Sequence, residues 1–258
     1  MKNIDVDGTV KDLSHLPNIN EIIFVLDSVG WKEFRMSKTP NINSLGRSQP
    51  AWSHGYYTVP SIYAMFRGAL PQPMNSSGWL LGRHITTGEN SNVPASLSEP
   101  DRGYNTYLMS SNPVITNDKL KAGGDVVSHN PYFNYEFNNE FKKFSAPALV
   151  NWFLQWGHEP FFGFFLTIET HTPYMNRDKK RSSQIEAIEL VDKSVGVLIK
   201  GIKKRKFKNK TRIIVTSDHS EAWDGKRNHG HNPRYLYKYM KMNKMQRLHK
   251  VFIAEGFV

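Results

Sequence analysis

Cysteine is missing from all 258 residues. Its absence excludes disulfides and is compatible with a reducing compartment. Long apolar runs are missing too. The densest, Phe161-Phe162-Gly163-Phe164-Phe165-Leu166, is far shorter than the roughly 20 residues a spanning helix needs. The N-terminal Met1-Lys2-Asn3-Ile4-Asp5-Val6-Asp7 lacks the apolar core of a secretory signal, so the sequence predicts a cytoplasmic chain with no transmembrane segment. Acids are scarce: 23 Asp+Glu face 34 Lys+Arg, for a formal net charge of +11. No internal repeat and no recognised nucleic-acid motif accompanies that charge. It is therefore read as solubility plus attraction of an anionic substrate, with a polyanion or an anionic headgroup surface as the sharper alternative.

What is present fits an α/β enzyme of one domain spanning residues 1–258, with an N-terminal extension at 1–20 and a basic tail at 232–258. Strands are predicted over 21–27, 104–109, 161–169 and 211–216. Helices are predicted near 60–67, 145–156 and 182–203. In the last of these Ile185, Ile188, Val191, Val195, Leu198 and Ile202 recur at helical spacing, opposite a polar face carrying Glu186, Glu189, Asp192 and Lys193,. Residues 68–103 are rich in Gly, Pro, Ser and Asn, which predicts loops over the active-site edge.

Three segments carry chemistry. Thr216-Ser217-Asp218-His219-Ser220 follows the apolar Ile213-Ile214-Val215 and sets a carboxylate beside an imidazole where a strand ends, a placement suited to a divalent metal. Glu21-Ile22-Ile23-Phe24-Val25-Leu26-Asp27 reads as a strand buried on both faces and closed by an acid. Ionised Asp27 must reach solvent or find a cation. Thr58-Val59-Pro60-Ser61 precedes the helix-like Ile62-Tyr63-Ala64-Met65-Phe66-Arg67, which puts Thr58 at or next to an N-cap that favours an anion.

The order of Asp27, then Thr-Pro-Asn-Ile-Asn-Ser-Leu at 39–45, Thr58-x-Pro60-Ser61 with Gly68, His171-Thr-Pro-Tyr174, and Ser217-Asp218-His219-Ser220-Glu221 resembles the alkaline phosphatase and sulfatase superfamily. The resemblance covers residues 21 to 231. It implies an alkaline-phosphatase-like fold: a mostly parallel central sheet with helices on both faces, here with a short C-terminal extension. It implies Asp27, Asp218 and His219 as metal ligands. Thr58 would be the nucleophile, also touching the metal and carrying the transferred group. His171 would contact the transferred group or the leaving group. Similar work falls to His229 and His231, with Lys226 as an outside candidate for substrate binding.

Two departures narrow the chemistry. Sulfatases of the superfamily use a formylglycine made from Cys or Ser in a Cys/Ser-x-Pro-x-Arg motif. Here Thr58 holds that position, Ile62 stands where Arg would, and Asp27 is followed by Ser28 rather than a second acid. Two-metal relatives carry an Asp four residues before the histidine, but position 167 is Thr. The expectation is one divalent ion, Mn, Zn, Mg or Ca, with a second site disfavoured, as in the lipoteichoic acid synthase and phosphoethanolamine transferase branches. The predicted activity is phosphoric ester hydrolysis or phosphoryl transfer through a phospho-threonine, on an anionic phosphate ester. The alternatives are a sulfatase, or a weakly catalytic homologue that binds an anionic polymer through its basic tail.

Overall fold

The strand that ends in Asp27 is buried on both faces because no polar side chain interrupts Ile22 to Leu26, a composition that suits the middle of a parallel sheet,. A computed structural model of the chain describes residues 19–53, 55–67, 93–98, 102–112, 115, 133–138, 145–174, 180–224, 226–230 and 246–258. Those residues form strands β1 (Asn20–Leu26), β2 (Gln49–Trp52), β3 (Asn105–Ser110), β4 (Tyr135–Asn138), β5 (Phe161–Thr167), β6 (Thr211–Ser217) and β7 (Lys250–Phe257). The helices are α1 (Trp31–Met36), α2 (Pro40–Asn43), α3 (Thr58–Arg67), α4 (Val93–Leu97), α5 (Ala146–Trp156), α6 (Arg181–Arg205) and α7 (Gln246–His249).

All seven strands share one sheet in the order β2-β7-β6-β1-β5-β3-β4. β1 runs parallel to β5 and β6, with Leu26 in register with both Thr167 and Ser217. The last residues of the three central strands therefore lie side by side at one edge, where open α/β sheets hold their ligands. Only β7 opposes the others, pairing antiparallel with β6 and with β2.

Helices cover both faces, as the expected fold class requires. On one face Phe34 of α1, Ile42 of α2, Val150 of α5 and Val191 of α6 pack on Phe24, Phe165 and Val215. On the other, Ile62 and Phe66 of α3 and Leu97 of α4 pack on Val25, Phe164 and Leu166. Phe24 and Phe165 stack across β1 and β5 with ring centroids 5.2 Å apart. Each such side chain contributes about 1.5–3 kcal/mol by leaving water. Among the described residues no helix is long and apolar enough to cross a membrane.

Several elements differ from the sequence expectation. β2, β4, β7, α1, α2, α4 and α7 lie outside the predicted elements. β7 in particular runs through residues expected to be a basic tail, yet Val251, Phe252 and Ala254 are buried in the sheet. Asp192 is not on an exposed polar face. It is buried, and its carboxylate accepts the backbone N–H groups of Asn41 (3.3 Å) and Ile42 (2.8 Å) and the Asn41 amide (2.8 Å) at the start of α2. Glu189 similarly takes the Lys38 N–H at 2.8 Å. Asp192 and Glu189 thus anchor the chain at and before α2, while Glu186 and Lys193 of the same face are exposed as expected. Most of the 68–103 segment, expected as loops, lies outside the described residues; within them Val93–Leu97 forms the short helix α4 instead of a loop.

Candidate active site

Asp27, Ser28, Asp218 and His219 emerge from the ends of β1 and β6, and all four are fully buried. Asp27, Asp218 and His219 each turn one ligand atom inward, and these atoms lie within 4.8 Å of one another. Ser28 makes this convergence possible. Its φ of 68° turns the chain sharply after Asp27, so its N–H points across to Asp218 Oδ1 at 3.0 Å while its hydroxyl donates to Asp27 Oδ1 at 2.7 Å. Thr170 Oγ1 donates to the Asp27 carbonyl at 2.6 Å, which fixes the same turn from the β5 side.

The electrostatics of the cluster call for a cation. His219 Nδ1–H donates to the Ser220 carbonyl at 2.9 Å, which makes Nε2 the acceptor nitrogen of the ring. That nitrogen faces Asp218 Oδ2 at 3.3 Å and Asp27 Oδ1 at 3.6 Å. Asp218 Oδ2 is buried, and no donor among the described residues forms a hydrogen bond to it. Burial drives the His219 imidazole down to about 3, so it does not supply the missing positive charge itself. Burial, and then the neighbouring Asp27 charge, push the Asp218 carboxyl well above its ordinary range. Acceptor atoms from two acids and a neutral imidazole crowded into a dry site fit a divalent metal, and a ring held by its second nitrogen is the usual support for a metal-binding histidine.

Thr58 opens α3 against this cluster. Its Oγ1 lies 3.4 and 3.5 Å from the Asp27 oxygens and 3.3 Å from His219 Nε2, and the residue is 7% exposed. Four sequence-predicted residues, Asp27, Thr58, Asp218 and His219, are thus brought together. His171 lies in the loop after β5, where its Nδ1 bonds the Thr172 carbonyl and its Nε2 is 3.9 Å from Glu221 Oε1. Burial lowers its basicity, but the charges of Asp27 and Glu221 and the Thr172 carbonyl outweigh this, so it is raised overall.

The other candidates sit elsewhere. His229 Nε2 meets Asp224 Oδ2 at 2.8 Å in a small hairpin at the surface. Lys226 is exposed in the turn of that hairpin, with its backbone N–H on Asp224 Oδ1 at 2.8 Å. His231 and Gly68 lie outside the described residues. Thr167, at the position where two-metal relatives have an acid, donates its hydroxyl to the Val25 carbonyl at 3.2 Å. The acid in that loop, Glu169, accepts the Ser145 and Ala146 N–H groups and the Ser145 hydroxyl at 2.6–2.8 Å, capping α5 instead of joining the cluster.

Further residues brace the site. Asn112, just beyond β3, donates to Asp27 Oδ2 at 2.9 Å. No local motif marks it, although its place after a central strand puts it on the ligand-bearing edge. Glu221 accepts the Thr172 N–H at 3.2 Å and the Tyr174 hydroxyl at 3.0 Å, and burial pushes its carboxyl up to about 7. Asn228 in turn donates its amide to Tyr174. Glu221 and Tyr174 stand inside the motifs that carried the superfamily resemblance, so a signal for them was present.

Comparison with known proteins bears on the family and the fold. The Sulfatase family model matches residues 20–244. Three solved structures share the fold. The C-terminal periplasmic domain of EcEptC from Escherichia coli, in complex with Zn, is 12% identical, with 95% of this chain and 74% of that one covered at a TM-score of 0.62. A protein in the alkaline phosphatase superfamily from Vibrio parahaemolyticus is 18% identical, with 92% and 60% covered at 0.60. The lipoteichoic acid synthase LtaP from Listeria monocytogenes is 12% identical, with 93% and 65% covered at 0.62. The chain thus spans less than two thirds of the last two. No curated protein matches it in sequence.

Proposed function

This chain belongs to the sulfatase family, within the alkaline phosphatase superfamily of metal-dependent enzymes acting on phosphate or sulfate esters, and from that premise we propose that it transfers phosphoryl groups through Thr58. The observation that carries the reading is the Thr58 hydroxyl at the first turn of α3, within 3.5 Å of both the Asp27 carboxylate and His219 Nε2.

One divalent ion held by Asp27, Asp218 and His219 would supply the positive charge that favours a threonine alkoxide and offsets charge on the transferred group. The chain's own residues do the rest. The N–H groups at the start of α3 and the helix dipole favour an anionic ester at Thr58. The Thr58 oxygen gives its proton to solvent and forms the bond to phosphorus as the bond to the departing oxygen breaks. His171, kept more basic than usual by its carboxylate neighbours, donates the proton the departing oxygen needs. Water or an acceptor alcohol then attacks the phospho-threonine, returns a proton to His171 and restores Thr58. Hydrolase and transferase differ only in that acceptor. His229, His231 and Lys226 are proposed as further contacts to the anionic substrate.

Sulfate ester hydrolysis is the second reading, favoured by the family that the chain matches. Against it stands Thr58, which cannot be converted to a formylglycine, in a chain with no cysteine. A panel of aryl phosphate monoesters, diesters, phosphonates and sulfates, run with metal analysis of the purified protein, separates the two. We expect phosphate turnover in the wild type and a loss of roughly 10³-fold or more in Thr58→Ala. Unchanged turnover in that variant removes Thr58 from the mechanism, and faster sulfate than phosphate turnover overturns the chemistry.

A further inference from the structure

A cleft of about 340 Å³ beside α1 is lined in part by Ser220 and Glu221, the two residues that follow His219. Its other walls come from distant parts of the chain: Lys32 of α1, Arg181 of α6, Arg247 of α7 and Lys250 of β7. The wall is tightly built. A side chain at Gly30 would run into the Ser220 hydroxyl and come within 2.7 Å of Glu33 Oε2.

The charges in the cleft do not cancel. Glu33 is matched by Arg181, with Nε 3.0 Å from Oε1, and the Arg181 guanidinium also covers the Trp223 ring at 4.6 Å. Glu221 is engaged by the Thr172 N–H and the Tyr174 hydroxyl. Among the described residues no carboxylate forms an ion pair with Lys32, Arg247 or Lys250. Lys32 shares the Glu33 charge with Arg181 and Lys250 Nζ lies 6.0 Å from the Trp52 ring, yet among the described lining residues Lys32, Arg181, Arg247 and Lys250 outnumber Glu33 and Glu221, an excess of cations that raises the local concentration of anions in a concave site.

The position of the cleft says which part of a substrate it would meet. Thr58 approaches the cluster from the face covered by α3, whereas α1, α6 and the cleft belong to the opposite face. In an in-line displacement the departing group leaves on the side away from the nucleophile. We propose that this cleft binds a second anionic group, a phosphate or another oxyanion, carried on the leaving portion of the substrate. The substrate class is then a multiply charged phosphate ester rather than a simple monoester. This inference rests on Thr58 being the nucleophile, and its test keeps the two separable.

The full chain is compared with a Lys32→Glu, Arg247→Glu double variant, both positions being exposed. Two esters are used: phenyl phosphate, and an aryl phosphate whose departing phenol bears a methylphosphonate. We expect the wild type to prefer the doubly anionic ester through KM, and the variant to lose that preference by roughly tenfold, the size of one charge-assisted contact. Equal preference in both proteins overturns the proposal. So does free methylphosphonate, at the same concentration, abolishing the preference for the attached group only through a site that the double variant leaves intact. If neither ester is turned over, quenching of tryptophan fluorescence by methylphosphonate in Thr58→Ala still reads the cleft. Binding that the double variant weakens supports the cleft and sinks the Thr58 chemistry; binding that it leaves unchanged sinks the cleft. Should charge reversal prevent folding, Lys32→Gln with Arg247→Gln gives the same readouts.

Discussion

Asp218→Asn should make the metal-free protein more stable while abolishing its response to metal, and the two effects together test the cluster independently of any substrate. In the wild type, two carboxylates and an imidazole nitrogen lie within 4.8 Å of one another. At an effective dielectric of about 20, two unit charges at that separation repel by on the order of 3 kcal/mol,. Part of this is already relieved because burial and the Asp27 charge raise the Asp218 carboxyl, so a realised gain of about 1 kcal/mol is expected from removing the charge. An asparagine keeps the acceptor that takes the Ser28 and His219 N–H groups at 3.0 and 2.9 Å. It also places an amide N–H where Oδ2 faces His219 Nε2 at 3.3 Å, turning a clash of lone pairs into a donor and an acceptor.

For a chain of this length each kcal/mol moves Tm by about 2–4 °C. A divalent ion at 100 times its Kd adds about 2.7 kcal/mol, so Mn²⁺ or Zn²⁺ should raise the wild-type Tm by roughly 5–11 °C over protein held in chelator. In chelator the variant should melt about 2–4 °C above the wild type, and adding metal should move it little. Differential scanning fluorimetry with and without chelator reads all four states. A wild type indifferent to divalent ions, or an Asp218→Asn protein that responds as strongly as the wild type, refutes the reasoning.

Asn112→Ala removes the donor at 2.9 Å from Asp27 Oδ2; metal affinity measured by titration should fall about 10- to 100-fold, as for other residues that orient a ligand, and an unchanged Kd would mean that Asp27 needs no such support. Asp192→Ala leaves the buried N–H of Ile42 and the start of α2 without their acceptor, so urea unfolding should show a loss of about 2–4 kcal/mol, with a loss below 1 kcal/mol counting against the capping role. Glu221→Gln keeps the size of the side chain but removes the charge that faces His171. It should lower phosphate-ester turnover about tenfold or more and leave the metal-induced Tm shift in place; loss of that shift would mean that Glu221 serves the metal cluster instead.

The parts of this molecule that sequence made legible share a physical trait: each is encoded by neighbours along the chain. The run from Ile22 to Leu26 declares a doubly buried strand, and the parallel register that follows carries Asp27 to the same edge as Asp218 and His219. The α6 stripe from Ile185 to Ile202 declares its buried face in the same way. What sequence hid depends on contacts between distant residues. Asp192 looks like a solvent-facing acid by helical spacing, and only the docking of α2 turns it into a buried cap. β7 was hidden by its basic surroundings, although Val251, Phe252 and Ala254 follow the pattern of a buried strand. Asn112 meets Asp27 across 85 positions, a link that no spacing rule anticipates. The site follows the same division. Its acids and hydroxyl come from strand ends and one helix start, which a sequence displays, but the cation-lined cleft beside it draws Lys32, Arg181, Arg247 and Lys250 from four separate elements. A chain cut before β7 would retain Asp27, Thr58, Asp218 and His219, but would lose Lys250 from that cleft and the strand that joins β2 to β6.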